Sequence, residues 1–373
     1  MVWTILAANG AAEKPSGNYS RLARPGPDGR LVYEPDKYGN IIPDFSYSGY
    51  CGGGVRLPNV RVRAEIKSGG GNDAARIQAA IDRVAKLPVD KNGFRGAVLL
   101  KRGLYKLDRP LSITEGGIVL RGEGSGEQGT VLFGKGVISG KPYRDMRNDA
   151  NLIDVRGEFG VDEIRDTATR ILDEYLPAGS RVFSVESAAR FRSGDRVIVR
   201  RYGDREWFAA LGLDYDRRLG RSSHDFERTI TGIEENRITI DIPLTCAVEA
   251  HWSKGELVKY SDSGRIAFVG IEHLRGISEY DESIRTNRYD NANREVVTGS
   301  EYVSDENHYW NFIKICDARD IWVRDIAALH FAGSAVFLER GCIRATVLDC
   351  ESLEPVSYCG DGRRLSFLVC GQL

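Results

Sequence analysis

Between residues 96 and 133 the chain carries a succession of apolar runs only three to five residues long, separated by turns too short to hold a helix. The runs are Gly96-Ala97-Val98-Leu99-Leu100, Gly103-Leu104-Tyr105-Lys106-Leu107, Leu111-Ser112-Ile113, Gly117-Ile118-Val119-Leu120-Arg121 and Thr130-Val131-Leu132-Phe133, each bounded by glycine or charge. Such runs read as short strands. An ordinary parallel sheet needs crossovers of a dozen or more residues between strands, so these connections leave a coil of strands as the economical solution. The pattern returns late in the chain at 266–275, 312–326 and 335–348. There Ile313 and Val336 are 23 residues apart, Ile315 and Leu338 also 23, and Ile321 and Ile343 22. A steady repeat with two short strands in each copy suits a coil that stacks like residues in columns.

Other stretches depart from this pattern. Residues 1–60 are rich in Gly, Pro, Asn and Tyr and read as an N-terminal arm or cap. The first helix is expected over 74–85, with Asn72 or Asp73 as N-cap and Ile77, Ala80, Ile81 and Val84 at helical spacing. Over 165–260 the runs alternate like half-exposed antiparallel strands, with Glu235-Asn236 as a turn, so a small inserted β-rich domain is expected there. Trp207, Phe208, His224 and Trp252 belong to its loops or to the place where it docks. The coil would then occupy 61–164 and resume over 261–373.

Several linked motifs between about 65 and 140 resemble the opening of the pectate-lyase-like β-helix superfamily. They are Gly70-Gly71-Asn72-Asp73, Ile77-Gln78-Ala79-Ala80-Ile81-Asp82, Arg102-Gly103-Leu104-Tyr105 and Leu120-Arg121-Gly122-Glu123-Gly124, in that order. Asn72-Asp73 stands where an Asp pair is common, and Lys101-Arg102 where proline is usual. The resemblance implies an all-β, right-handed parallel β-helix with an N-terminal capping helix. It further implies a carbohydrate-active protein, secreted or periplasmic, whose partner is a polysaccharide. Gly124-Ser125-Gly126-Glu127-Gln128-Gly129 also fits a dinucleotide fingerprint, but that site requires a helix to follow, and Thr130–Phe133 reads as a strand.

Composition narrows the partners. A net charge of −1 supplies no global field for nucleic acid, so an anionic substrate must meet a local cluster of arginines. Seven cysteines without CxxC spacing argue against zinc and against a complete set of intrachain disulfides; most are expected to be buried as small hydrophobes. No apolar run approaches the ~20 residues of a membrane span. Residues Val2–Ala8 resemble the remnant of a signal-peptide core without its positive region. The apolar run at 365–369, close to the last residue, suggests a truncated coil whose exposed end would associate.

The best candidate site is where a polar loop over 279–307 re-enters the coil. Asp305-Glu306-Asn307-His308-Tyr309-Trp310 packs acid, base and aromatic groups together, and His330 follows His308 by 22 residues. His308, His330, Tyr309 and Arg324 are the expected catalytic groups; Glu279, Asp281, Asp305, Glu306, Trp310, Arg363 and Arg364 are the expected substrate contacts. A lyase acting on a uronate polymer must neutralise the substrate carboxylate, remove the C5 proton and release the leaving oxygen, and these residue types supply such groups. Arginine or a bound cation, with Ca2+ left open, suits the first task. A glycoside hydrolase would need carboxylates across the scissile bond. The β-helix galacturonase signatures NTD, DD, GHG and RIK are absent from the sequence. Hydrolysis by another arrangement and glycan binding without catalysis stay open as alternatives to β-elimination.

Overall fold

The computed structural model describes residues 20–136, 149–158, 161–203, 205–212, 223–252, 254–290, 295–360 and 362–370. The signal-like run Val2–Ala8 lies outside them. Two compact units emerge, one of residues 46–162 and 261–373, the other of residues through Phe45 with Glu163–Tyr260.

The first unit is a coil of parallel strands. Along one face Val62–Ile66, Gly96–Leu100, Ile118–Arg121, Gly270–Ser278, Ala318–Leu329 and Ile343–Leu353 pair in succession, all parallel. Gly103–Leu107 pairs with Thr130–Gly134, which pairs in turn with the second half of Gly270–Ser278 and so opens a second face. Leu111–Ile113, Asn151–Arg156, Asn311–Cys316, Ser334–Leu338 and Phe367–Val369 form a third, five-stranded parallel sheet. Parallel pairs that follow each other through such short turns can only wind. The interior is the stacked apolar set that includes Leu100, Leu107, Leu120, Leu132, Ile153, Ile271, Leu274, Ile313, Ile326 and Val336. Helix Ala74–Ala85 lays Ile77, Ala80, Ile81 and Val84 into the same core, and Asn72 Oδ1 accepts from Ala74 N–H at 3.1 Å.

The longest strands serve two faces because they bend at residues with positive φ. Asp320 (φ 53°) and Asp325 (φ 47°) lie inside Ala318–Leu329, and Arg344 (54°) and Asp349 (52°) hold the same places one turn on. Phe268 and His273 precede them, and His330 and Glu354 form a third corner. Asp and His are among the residues that enter this region most readily, which eases the corner of His273, Asp325 and Asp349; Phe268, Arg344 and Glu354 adopt it at the other two at a higher cost. The register departs from the expected one at a single place. Ile313 pairs with Val336 and Ile315 with Leu338, at the expected spacing, but Ile321 pairs with Ala345 and not with Ile343. One extra residue enters at the Arg340–Gly341 turn, where Asp317 N–H bonds Arg340 O at 3.0 Å.

Glycines set the close approaches. A Cβ on Gly276 would stand 2.5 Å from the Phe312 ring, which stacks on Phe331 at 5.3 Å across the core. The second unit has its own core of Phe183, Val197, Val199, Phe226, Ile230, Ile238 and Leu257 under a six-stranded sheet. Arg196–Tyr202 there pairs antiparallel with both Ser223–Glu234 and Gly255–Ser261, and Glu235 (φ 54°) turns the hairpin into Arg237–Ile240. The cysteines are free, and only Cys316 is buried, against the expectation that most would be.

Candidate functional site

The loop that was expected to deliver catalytic groups instead builds a wall. His308 is 1% exposed and both its ring nitrogens are occupied. Its Nε2 lies 3.1 Å from Asp305 O and 3.0 Å from Val356 O, so this nitrogen carries the proton. Nδ1 then accepts from Ser278 Oγ at 2.8 Å, and Ser278 Oγ accepts from Tyr309 N–H at 3.1 Å. Burial holds the His308 pKa below its usual value, and no ring edge is left for a substrate. Tyr309 is buried as well, with its phenol pushed up to about 12 by burial. Trp310 is fully buried and donates Nε1–H to Glu306 O at 3.1 Å.

The other expected contacts hold this wall in place. Arg363 pairs with Glu306 and stacks over Trp310 (5.9 Å) and Tyr358 (5.4 Å). Arg364 donates to Ser357 O at 2.5 Å and lies over the Tyr302 ring at 5.4 Å. Asp305 is buried and accepts backbone N–H groups from Asp281 (2.9 Å) and Asn307 (2.8 Å). Asp281 takes Ser283 N–H at 2.8 Å, and hydrogen bonds from Ser283 lower its pKa. Glu279 receives Gly136 N–H at 3.3 Å. Arg324 is not in this group. Its Nε donates at 2.8 Å to Glu272, which is 0% exposed and also meets Arg121 Nε (2.5 Å) and Trp322 Nε1 (2.9 Å). Arg324 therefore neutralises a buried acid.

His330, unlike His308 and Tyr309, reaches solvent. Its Nε2 is 3.3 Å from Glu354 Oε2, and Tyr280 sets its ring edge-on at 4.9 Å, between His330 and His308. His330 stands at one corner of the second face, and the opposite corner carries a second histidine–acid pair.

That pair was not singled out from the sequence. His273 Nδ1 lies 2.6 Å from Asp325 Oδ2, and Ser125 Oγ donates to Asp325 Oδ1 at 2.5 Å. Burial opposes the charge on Asp325, but the bonds from Ser125 and His273 outweigh it and hold the carboxyl below its ordinary pKa. An ionised Asp325 can only accept, so His273 donates through Nδ1, which in the neutral tautomer of the ring leaves the lone pair on Nε2. Nε2 has no partner among the described residues, and the side chain is 34% exposed. The Gly-rich loop is what brings Ser125 here. Gly122 N–H and Gly124 N–H bond Glu272 O (2.9 Å) and His273 O (3.1 Å). A Cβ on Gly122 would lie 2.1 Å from His273 O, so only glycine lets the loop approach the corner this closely.

The same unit holds a cleft of about 660 Å³, lined by Arg102, Leu104, Glu127, Gln128, Arg275, Ile277 and Leu329 among others, with His273 and Asp325 outside its lining. Strand register explains the lining. Leu104, Val131, Arg275 and Ala327 share one outward row, and Lys106, Phe133, Ile277, Leu329 and Leu353 the next. Arg275 reaches Ser125 O at 3.4 Å and Glu127 at 3.9 Å, both loose contacts, while Arg102 is exposed. Apolar rungs with arginines beside them can meet the flat faces and the carboxylates of an acidic sugar chain. The signal available in sequence was the register itself: His273 and Asp325 hold the same place in adjoining rungs, 52 residues apart because the coil is interrupted between them. Among the described residues no group of three or more His, Cys, Asp or Glu side chains could hold a metal.

No family model matches this sequence, and no curated protein matches it. Among solved structures, similarity extends to the tailspike protein gp49 from Pseudomonas phage LKA1, with 15% identity over 72% of this chain and 33% of that one, at a TM-score of 0.39. The Pseudomonas phage phi297 tailspike gp61 shows 13% identity over 76% and 42%, at 0.34. The Gp54 tailspike of Acinetobacter baumannii bacteriophage AP22, in complex with A. baumannii capsular saccharide, shows 10% over 75% and 44%, at 0.29. The chain spans about a third of the first of these and about two fifths of the other two. No helix among the described residues is long and apolar enough to cross a membrane.

Proposed function

We propose that this chain is a right-handed β-helix that binds an acidic polysaccharide in the cleft beside His273 and cleaves it by β-elimination. The observation that carries this reading is the His273–Asp325 pair, linked through Ser125 to Arg275, which lines a cleft together with Arg102. A substrate carboxylate bound by Arg275 or Arg102 has its charge neutralised, which acidifies the neighbouring C5–H. His273 Nε2 takes that proton while Asp325 stabilises the imidazolium that results. The C5–H electron pair forms the C4–C5 double bond, the C4–O bond breaks, and the leaving oxygen departs with a proton from water. Ca2+ remains the cation that the family resemblance leaves open; no step needs it here.

Hydrolysis fits less well, because it needs carboxylates on both sides of the bond. Asp325 is committed to His273 and Ser125, and Glu127 is the single acid lining the cleft. The test is incubation with a panel of uronate-containing polymers. Absorbance from an unsaturated product supports elimination. New reducing ends without that absorbance mean hydrolysis, and saturable binding with neither means a glycan-binding module.

A further inference from the structure

The second unit holds an arginine whose surroundings differ sharply from those of its neighbour. Arg200 and Arg201 are adjacent in Arg196–Tyr202, so their side chains leave opposite faces of the sheet. Arg200 is neutralised: Asp225 takes it through two oxygens at 2.8 and 2.7 Å, and Glu163 adds a contact at 2.7 Å. Arg201 shares the face of Val197 and Val199, at the margin of the unit's apolar core. No carboxylate meets it among the described residues. Its Nη1 lies 3.8 Å from Cys246 Sγ, a weak acceptor, and its Nε is buried without any hydrogen-bond partner.

The same surroundings pre-set the guanidinium. Its carbon lies 4.8 Å from the centroid of the Trp207 ring, a contact that fixes the plane of the group. In the sheet Arg201 sits between His224 and Gly255. His224 is exposed and adds a second ring that can donate, while Gly255 places no side chain beside the arginine. Ile171 and Val248 already stand 3.0 Å from where a Cβ of Gly255 would be.

We propose that Arg201 anchors an oxyanion site in this unit, separate from the cleft, and that its ligand is a carboxylate such as that of a uronic acid sugar. A guanidinium presents donors in a flat fork that matches the two oxygens of a carboxylate, whereas a free tetrahedral anion fits it less closely. With Nε buried and the group packed on Trp207, the carboxylate meets the outer Nη edge of the fork, and His224 donates to the second oxygen.

The experiment is calorimetric titration of the full chain with sodium glucuronate and, separately, with inorganic sulfate. The expected result is saturable glucuronate binding, tighter than sulfate, of which one site weakens at least tenfold in Arg201→Gln. Unchanged binding in that variant, or sulfate binding as tightly as glucuronate, would overturn the proposal. Should the variant fold poorly, the wild-type chain answers by itself. Modification of Arg201 by phenylglyoxal, followed by peptide mass spectrometry, should slow at least tenfold in saturating glucuronate. An unaltered rate would overturn the proposal equally.

Discussion

His308 and His273 show how differently one residue type can be used within a single coil. His308 is enclosed, neutral, and bonded through both nitrogens to a hydroxyl and two carbonyls. His273 stands at a corner with one nitrogen bound and the other bare. His273→Ala should therefore lower the rate of polymer cleavage by about 10²–10⁴-fold, the usual share of a general base, with a smaller fall in thermal stability from an alanine held at φ 58°. His308→Ala should do the reverse. It strands Ser278 and two buried carbonyls and should cost about 1–3 kcal/mol of stability, measured by denaturant unfolding. The pH dependence has a definite sign. Burial depresses the folded pKa of His308, so as pH falls below about 6.5 the unfolded chain takes up the proton first. Its contribution is complete above that pH and shrinks below it. The stability gap between wild type and His308→Ala should thus narrow from pH 7 to pH 5; a gap independent of pH would contradict the assignment.

At the scale of elements, the interior shows why some spacings were legible and others were not. Apolar residues that stack inside the coil, such as Ile313 with Val336, repeat in the sequence as they do in space. The partner of Ile321 was hidden because hydrophobicity pointed to Ile343, while the residue added at the Arg340–Gly341 turn puts Ala345 opposite it. Turns carry little apolar signal, so an added residue there leaves no trace in periodicity. The loop acids misled for a related reason. Asp305 looks like surface chemistry in sequence, yet it is buried and caps the backbone N–H groups of Asp281 and Asn307, whereas Asp281 stays exposed. The small inward residue at 276 offers a direct test of the packing. Gly276→Ala would push a methyl group into Phe312 and should cost about 1–3 kcal/mol, read from the denaturation midpoint. A neutral effect would mean that the Phe312–Phe331 stack can shift aside.

At the scale of the molecule, the parallel coil was readable because short strands with short turns have so few ways to pair. The site was not. Its two halves, His273 and Asp325, become neighbours only after the chain has left the coil near Asp162 and returned near Ser261, and only because each sits at the same corner of successive rungs. No local motif marks such a pair. The Gly-rich loop was noticed for its likeness to a phosphate-binding turn, whereas its structural work is to lean on the corner and supply Ser125.

The most direct test of the central claim is a crystal structure of the His273→Ala chain soaked with a uronate oligosaccharide too slow to be cleaved. The account predicts sugar density across Ile277 and Leu329, with a carboxylate about 3 Å from Arg275 or Arg102 and its C5 facing the position vacated by the imidazole. An oligosaccharide seated against Tyr302 and Tyr358, with this face left bare, would contradict it.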